Sequence, residues 1–210
     1  MARRPLDCDA MIHPAAPDPR WLTPSRGYVV AGGQSSRMGR DKARLPYRET
    51  TLIEHAIALV RQATPDVRVL CGPERRYEGF GVPVIEDPVC GAGPLGGLYG
   101  ALLSASVDGR ERVFWLAVDL PLVTLDVLTD LLAGLDRADV VMARTDRGPE
   151  PLCAAFQTEP ALAAVRRALL DGRLKLTSAL EGLLVQHVDA NVETFANINT
   201  LGDYDDLSRR

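Results

Sequence analysis

Residues 28–42 read YVVAGGQSSRMGRDK, and the two ends of the stretch ask for different backbones. Tyr28-Val29-Val30 is a short apolar, β-branched run of the kind that forms a buried strand. It feeds a loop with three glycines (Gly32, Gly33, Gly39), two serines and two arginines, which closes on Asp41-Lys42. Glycines let backbone approach a ligand and adopt positive φ, and successive N–H groups in such a turn form a nest for an anion. Arg37, Arg40 and Lys42 add cations that pair with phosphate oxygens. A strand running into glycines and cations predicts a phosphate site, and the plainer alternative is a surface loop.

Spacing excludes two better-known glycine loops. A P-loop places Lys-Ser/Thr directly after its second glycine, whereas Arg40-Asp41 follow Gly39. The dinucleotide pattern G-x-G-x-x-G is absent, because Gly32 and Gly33 are adjacent.

Outward from this loop the sequence alternates strand and helix. Residues 51–62 carry apolar side chains at helical spacing behind an N-cap at Thr50 or Thr51, with His55 read as a packed helix residue. Residues 67–71 and 82–85 are short strands. The second ends in Glu86-Asp87-Pro88, a turn or a ligand contact, since ligands collect at the carboxyl ends of parallel strands. The second glycine-rich stretch, residues 91–97, precedes a helix at 98–106. It serves either as an anion or base site at a helix start or as a means of tight packing. Residues 112–118 (RVFWLAV) are the most apolar strand and read as central. That strand runs into Asp119-Leu120-Pro121, and a carboxylate there must be solvated, paired or metal-bound. A helix is expected over 124–135, then strands at 138–143 and 151–156 joined by the turn at 146–148, with Cys153 in the core. A helix over 160–170 leads to the basic glycine turn Asp171-Gly172-Arg173-Leu174-Lys175. The last strand, 183–188, carries a structural His187, and FANINT at 195–200 precedes a short helix at 201–207. The pattern predicts an α/β domain with a mostly parallel sheet.

Composition bounds the function. The 210 residues suit one domain: residues 1–25, rich in Pro, Asp, Arg and Ala, read as a flexible extension and 26–210 as the working domain. A net charge of −4 argues against nucleic-acid or membrane-surface partners, which need a basic face. No apolar run approaches the roughly 20 residues of a membrane helix, and MARRPLDCDA lacks the apolar core of a signal peptide. The four cysteines form no C-x-x-C pair, so neither zinc nor a disulfide framework is indicated. Cytoplasm is the expected compartment.

With Ala-Gly-Gly, Ser-Arg-Met-Gly and Asp-Lys at their spacing in residues 31–42, the chain resembles the molybdenum cofactor guanylyltransferases, within the sugar-nucleotide-type nucleotidyltransferases. The likeness continues through Glu86-Asp87, the Gly-Pro-Leu-x-Gly of residues 93–97, Asp119-Leu120-Pro121 and Asn197-Ile198-Asn199-Thr200. It implies a single Rossmann-like, three-layer α/β domain with helices on both faces. It implies transfer of GMP from GTP to molybdenum-bound molybdopterin, with Mg2+ as cofactor and pyrophosphate as product. Val30, Ala31, Gly32, Gly33, Lys42, Asp87, Gly96 and Asp119 would contact the nucleotide. Arg37, Lys42 and Asp119 would carry the chemistry, Asp119 and Asn199 the metal, and Arg173, Lys175 and Asn197 the pterin acceptor. Partners would be GTP and molybdenum-molybdopterin, delivered by cofactor-biosynthesis or acceptor proteins, with the chain a monomer or weak oligomer.

Two positions depart from the family pattern. Leu70-Cys71-Gly72 lacks an Asn common after this strand, and Glu150-Pro151 stands where His-Pro is usual. Three other readings remain open: the cytidylyl version of the same enzyme, whose first loop tends to read Ala-Ala-Gly; a nucleotidyltransferase for another small phosphate-bearing acceptor; and a non-catalytic nucleotide-binding protein.

Overall fold

Residues 25–32, 41–198 and 200–208 are described by the structure, a computed structural model. In chain order it contains β1 (Ser25–Val30), a one-turn 3-10 helix (Lys42–Arg44), β2 (Pro46–Tyr47), β3 (Thr50–Thr51), α1 (Leu52–Ala63), β4 (Val67–Leu70) and β5 (Val84–Ile85). There follow α2 (Pro94–Val107), β6 (Arg112–Ala117), α3 (Leu125–Gly134), β7 (Val140–Thr145), β8 (Gly148–Gln157), α4 (Thr158–Leu170), α5 (Leu176–Ala179), β9 (Val185–Asp189), a second 3-10 turn (Val192–Phe195) and α6 (Leu201–Ser208). The expected extension, residues 1–25, lies outside the described residues apart from Ser25, which is buried and opens β1.

Seven strands form one sheet in the order β5-β4-β1-β6-β8-β7-β9. β1 pairs in parallel with β4 and β6, β4 with β5, and β7 with β9, while β8 runs antiparallel between β6 and β7. Period-two alternation sorts the side chains between two faces. Val29, Val69, Phe114, Leu116 and Val141 meet α1 and α3 on one side. Tyr28, Leu70, Val113, Trp115 and Phe156 meet α2 and α4 on the other. This is the mostly parallel, three-layer α/β arrangement the sequence predicts. No helix among the described residues is long and apolar enough to cross a membrane.

The local chemistry explains the boundaries. Thr51 and Glu54 form a reciprocal capping box that starts α1. α2 begins at Pro94, inside the glycine-rich stretch, and not at residue 98 as spacing predicts. Proline at the first helical position fits the helix start, whereas glycines are poor helix formers and hide the start from a propensity reading. The hairpin β2/β3 and the single turn α5 are too short to leave a periodic signal.

Chain direction decides where the loops gather. β1, β4, β5 and β6 are mutually parallel, so the segments after each of them emerge at one edge. β1 is followed by α1 and β4 on one side, while the chain returns through α2 on the opposite face to β6, on the other side of β1. The edge between β1 and β6 is therefore the topological switch point, where open α/β sheets bind ligands.

Gly27 sets how closely α1 approaches this strand: a Cβ there would lie 2.4 Å from Val60 Cγ1 and 3.0 Å from Phe114 Cζ. Gly27→Ala should therefore destabilise the chain by about 1–3 kcal/mol, seen as a drop of roughly 3–10 °C in Tm by calorimetry; an unchanged Tm would show that α1 is not seated this tightly.

Candidate active site

Asp41 supports the lysine side of the site. Its carboxylate accepts from the Ala43 N–H (3.1 Å) and so caps the 3-10 turn that carries Lys42. Lys42 Nζ lies 2.9 Å from Asp119 Oδ2, and the two side chains are only 17% and 19% exposed. Asp119 stands just beyond β6 and Lys42 in the segment after β1, so the ion pair bridges the switch point. Both residues singled out from the sequence are brought into direct contact.

Several groups hold Asp119 in position. Val118 N–H donates to the Val30 carbonyl at 3.0 Å, extending the β1–β6 ladder one residue further. His55 Nε2 donates to the Pro121 carbonyl at 3.0 Å and packs edge-on against Tyr47; its role is structural, as expected. Ile198 N–H donates to the Asp119 carbonyl at 3.1 Å, and the Ile198 side chain is buried in the core. The chain thus returns to the Asp119 turn at Ile198, the residue after exposed Asn197. Thr200 and Asp203 then cap α6 reciprocally.

Beside this ion pair, at the same edge, lies a cavity of about 390 Å³, a size suited to a small organic ligand. Val30, Gly32, Leu70 and Gly72 form one part of its wall, Asp87, Gly93, Pro94 and Gly97 another, and Glu74, Arg76, Cys90 and Leu152 contribute further side chains. Asp87 is half-buried, and burial raises its carboxyl above the ordinary range. The N-terminus of α2 opens onto the cavity through Gly93 and Pro94, placing the helix's unpaired N–H groups there.

The glycines divide between wall and packing. A Cβ on Gly32 would lie 2.7 Å from Gly72 N, so the β1 and β4 loops pass each other backbone to backbone. Gly96 faces the Val89 carbonyl, where a Cβ would lie 2.8 Å away, and it is Gly97 that lines the cavity, near the Asp87 carboxylate. Of the two readings the sequence leaves for this stretch, Gly96 and Gly100 display tight packing and Gly97 exposure to the cavity.

Gly33, Arg37 and Asn199 lie outside the described residues. Arg173 donates to the Ser178 carbonyl (2.7 Å) and pairs with Asp171; neither it nor exposed Lys175 lines the cavity. Thr158 N–H bonds Glu111 O, and Ser106 bonds Glu159, which fixes the start of α4 at the opposite edge. From there the helix climbs about 20 Å toward the cavity's edge, carrying the Arg173–Lys175 turn with it. Cys153 is fully buried with its thiol pushed up by burial, in keeping with a core residue. Glu150, in the place of the family's histidine, is part-buried and likewise raised by burial.

Tyr77 and Arg76 are missing from the sequence reading. Their loop follows β4, at the edge where ligands gather, and that position was the available signal; its GPERRYEGFG composition carries no recognised spacing. Tyr77 is 2% exposed, and its hydroxyl donates to Asp41 Oδ1 (2.9 Å), with the Ala31 carbonyl at 3.2 Å. The tyrosine thereby ties the β4 loop to both ends of the glycine loop.

No described cluster of three or more His, Cys, Asp or Glu side chains could cage a metal. Asp119 offers a hard carboxylate to a divalent cation that takes its other ligands from phosphates and water, the mode magnesium favours.

Comparison with known proteins agrees with this geometry. Residues 27–188 match the MobA-like NTP transferase domain. The chain is 33% identical over 181 residues to a Mycobacterium marinum protein named "Probable molybdenum cofactor guanylyltransferase", covering 84% of this chain and 90% of that one. A Mycobacterium tuberculosis protein of the same name is 36% identical over 147 residues, 69% of this chain and 72% of the other. Among solved structures, molybdopterin-guanine dinucleotide biosynthesis protein A from Archaeoglobus fulgidus superposes with a TM-score of 0.67 at 25% identity, covering 88% of this chain and 97% of that one.

Tyr77→Phe keeps the ring and removes the hydroxyl that Asp41 binds. Urea unfolding should show a loss of about 1–3 kcal/mol; an unchanged midpoint would mean that the hydroxyl does not hold the loop.

Proposed function

Because the chain belongs to the MobA-like NTP transferase family, we propose that it transfers GMP from GTP to the terminal phosphate of molybdenum-bound molybdopterin, making the guanine dinucleotide form of the molybdenum cofactor. The names of its relatives support the nucleotide and the acceptor. The observation that carries the reading is the Lys42–Asp119 contact at the switch point, next to a nucleoside-sized cavity.

In this reading the base and ribose occupy the cavity between Gly32, Asp87 and Gly97. The triphosphate lies toward the glycine loop, where backbone N–H groups, Arg37 and Lys42 neutralise its charge. A phosphate oxygen of the acceptor attacks the α-phosphorus. The new P–O bond forms as the bond to the bridging β-phosphate oxygen breaks, and pyrophosphate departs. The attacking group is already an anion, so the protein needs no side-chain nucleophile, and its part is positioning and charge neutralisation. Asp119, with Asn199 nearby in sequence to Ile198, would hold Mg2+, which supplies Lewis-acid stabilisation of phosphate charge. Asn197, one residue before the Ile198 backbone bond to Asp119, together with Arg173 and Lys175, would receive the incoming phosphate monoester.

The guanine preference does not rest on Gly32 alone. Its lack of a side chain is demanded by the Gly72 backbone, so a glycine here reports loop packing as well as room for a purine. Support for GTP over CTP comes from the relatives.

Asp119→Asn should lower Mg-dependent pyrophosphate release from GTP and molybdopterin by roughly 100-fold or more, and in the parent protein GTP should raise Tm further than CTP does. A variant with parental turnover, or a larger shift with CTP, would contradict this assignment.

A further inference from the structure

The cavity contains a cation that the phosphate chemistry leaves unused. Among the described residues lining it, Arg76 is the only lysine or arginine. Its Nη2 makes one long contact, 3.4 Å to the Cys71 carbonyl, and its buried Nε has no hydrogen-bond partner. Buried donors are nearly always paired, so an orphaned guanidinium N–H beside a cavity calls for an acceptor. Neighbouring Arg75 differs: it is exposed and paired with Glu78 and Glu86.

Backbone conformation commits Arg76 to this place. Tyr77, the next residue, has φ +68°, a left-handed conformation that bulky residues adopt only when their surroundings enforce it. What enforces it is the burial of the Tyr77 ring and its hydroxyl's bond to Asp41, with the Ala31 carbonyl 3.2 Å away. The Arg76 guanidinium then lies 5.6 Å from the centre of that ring, a cation–π contact that floors it. The same tyrosine thus fastens the phosphate loop and seats a planar donor in the cavity.

We infer that Arg76 selects the base, presenting paired N–H groups to the adjacent O6 and N7 acceptors of guanine. This inference rests on the guanylyl reading and deepens it. Guanine is the base whose N7 adjoins a second acceptor, which is why arginine so often reads it bidentately, whereas adenine offers a donor beside N7 and pyrimidines have no N7. Asp87 and Glu74 line the same cavity, and carboxylates complement the N1–H and 2-amino donors that guanine carries next to O6.

The test is titration calorimetry of the full chain with Mg2+ and GTP, 7-deaza-GTP or ATP, in the parent protein and in Arg76→Met, which keeps the length of the side chain and carries no donor. The parent should bind 7-deaza-GTP about 5- to 50-fold more weakly than GTP, because the missing N7 leaves a buried donor unpaired. It should bind ATP roughly 10- to 100-fold more weakly than GTP. Arg76→Met should bind GTP and 7-deaza-GTP alike. Equal binding of these two by the parent overturns the inference even if the variant fails to fold. A variant that weakens all three nucleotides by the same factor also overturns it, since that is the mark of a phosphate contact. If the parent binds no nucleoside triphosphate, the functional reading falls with it, whereas GTP binding without N7 discrimination removes only the role given to Arg76.

Discussion

Lys42 and Asp119 are far apart in sequence and meet at 2.9 Å because β1 and β6 are parallel neighbours. Each charge is largely withdrawn from water, and either one left alone there would be costly. The contact therefore constrains the rest of the edge: the glycine loop must end where β6 ends, and each turn must be braced. Asp41 and Tyr77 brace the lysine side, while His55 and Ile198 brace the aspartate side. A preformed pair of this kind can meet a polyphosphate with little reorganisation, and most of the catalytic advantage of a polar site comes from that preorganisation.

Close backbone approach is the second constraint. Gly27 admits α1 to the sheet, Gly32 admits the β4 loop to the β1 loop, and Gly96 and Gly100 admit the Asp87–Val89 turn to α2. These contacts bring the segments following three strands, β1, β4 and β5, into one rim around the cavity. Each glycine motif of the sequence thus does mechanical work as well as offering N–H groups to a ligand, and the two roles need the same residue.

The sheet and its helices were legible because continuous apolar runs mark β1 and β6 as buried strands and helical spacing marks α1 and α4. Asp87 and Asp119 were legible because strand ends at one edge are where ligands collect, and Cys153 and His55 because apolar surroundings make them structural. What stayed hidden depends on contacts across the chain. Propensity could not see that α2 begins among glycines, since Pro94 starts the helix and packing against residues 87–89 sustains it. Nor could spacing reveal Tyr77, whose importance comes from a bond to a residue 36 positions away and a close carbonyl 46 positions away, or Arg76, beside whose cavity position stands a residue of left-handed φ. Gly96 is the nucleotide contact the resemblance implies for its stretch, and Gly97 is the neighbour that lines the cavity. Sequence alone does not show that distinction, because it does not give which side of a helix start faces the cavity.

All of these contacts point to one nucleotide spanning the cavity and the ion pair. A crystal structure of the full chain with Mn2+ in place of Mg2+ and a GTP analogue resistant to transfer, read through the metal's anomalous signal, tests this directly. The account predicts a metal within about 2.3 Å of an Asp119 carboxylate oxygen, phosphates in reach of Lys42, and the base between Asp87 and Gly97. A metal bound away from Asp119, or a nucleotide whose base lies outside the cavity while its phosphates miss Lys42, would contradict it.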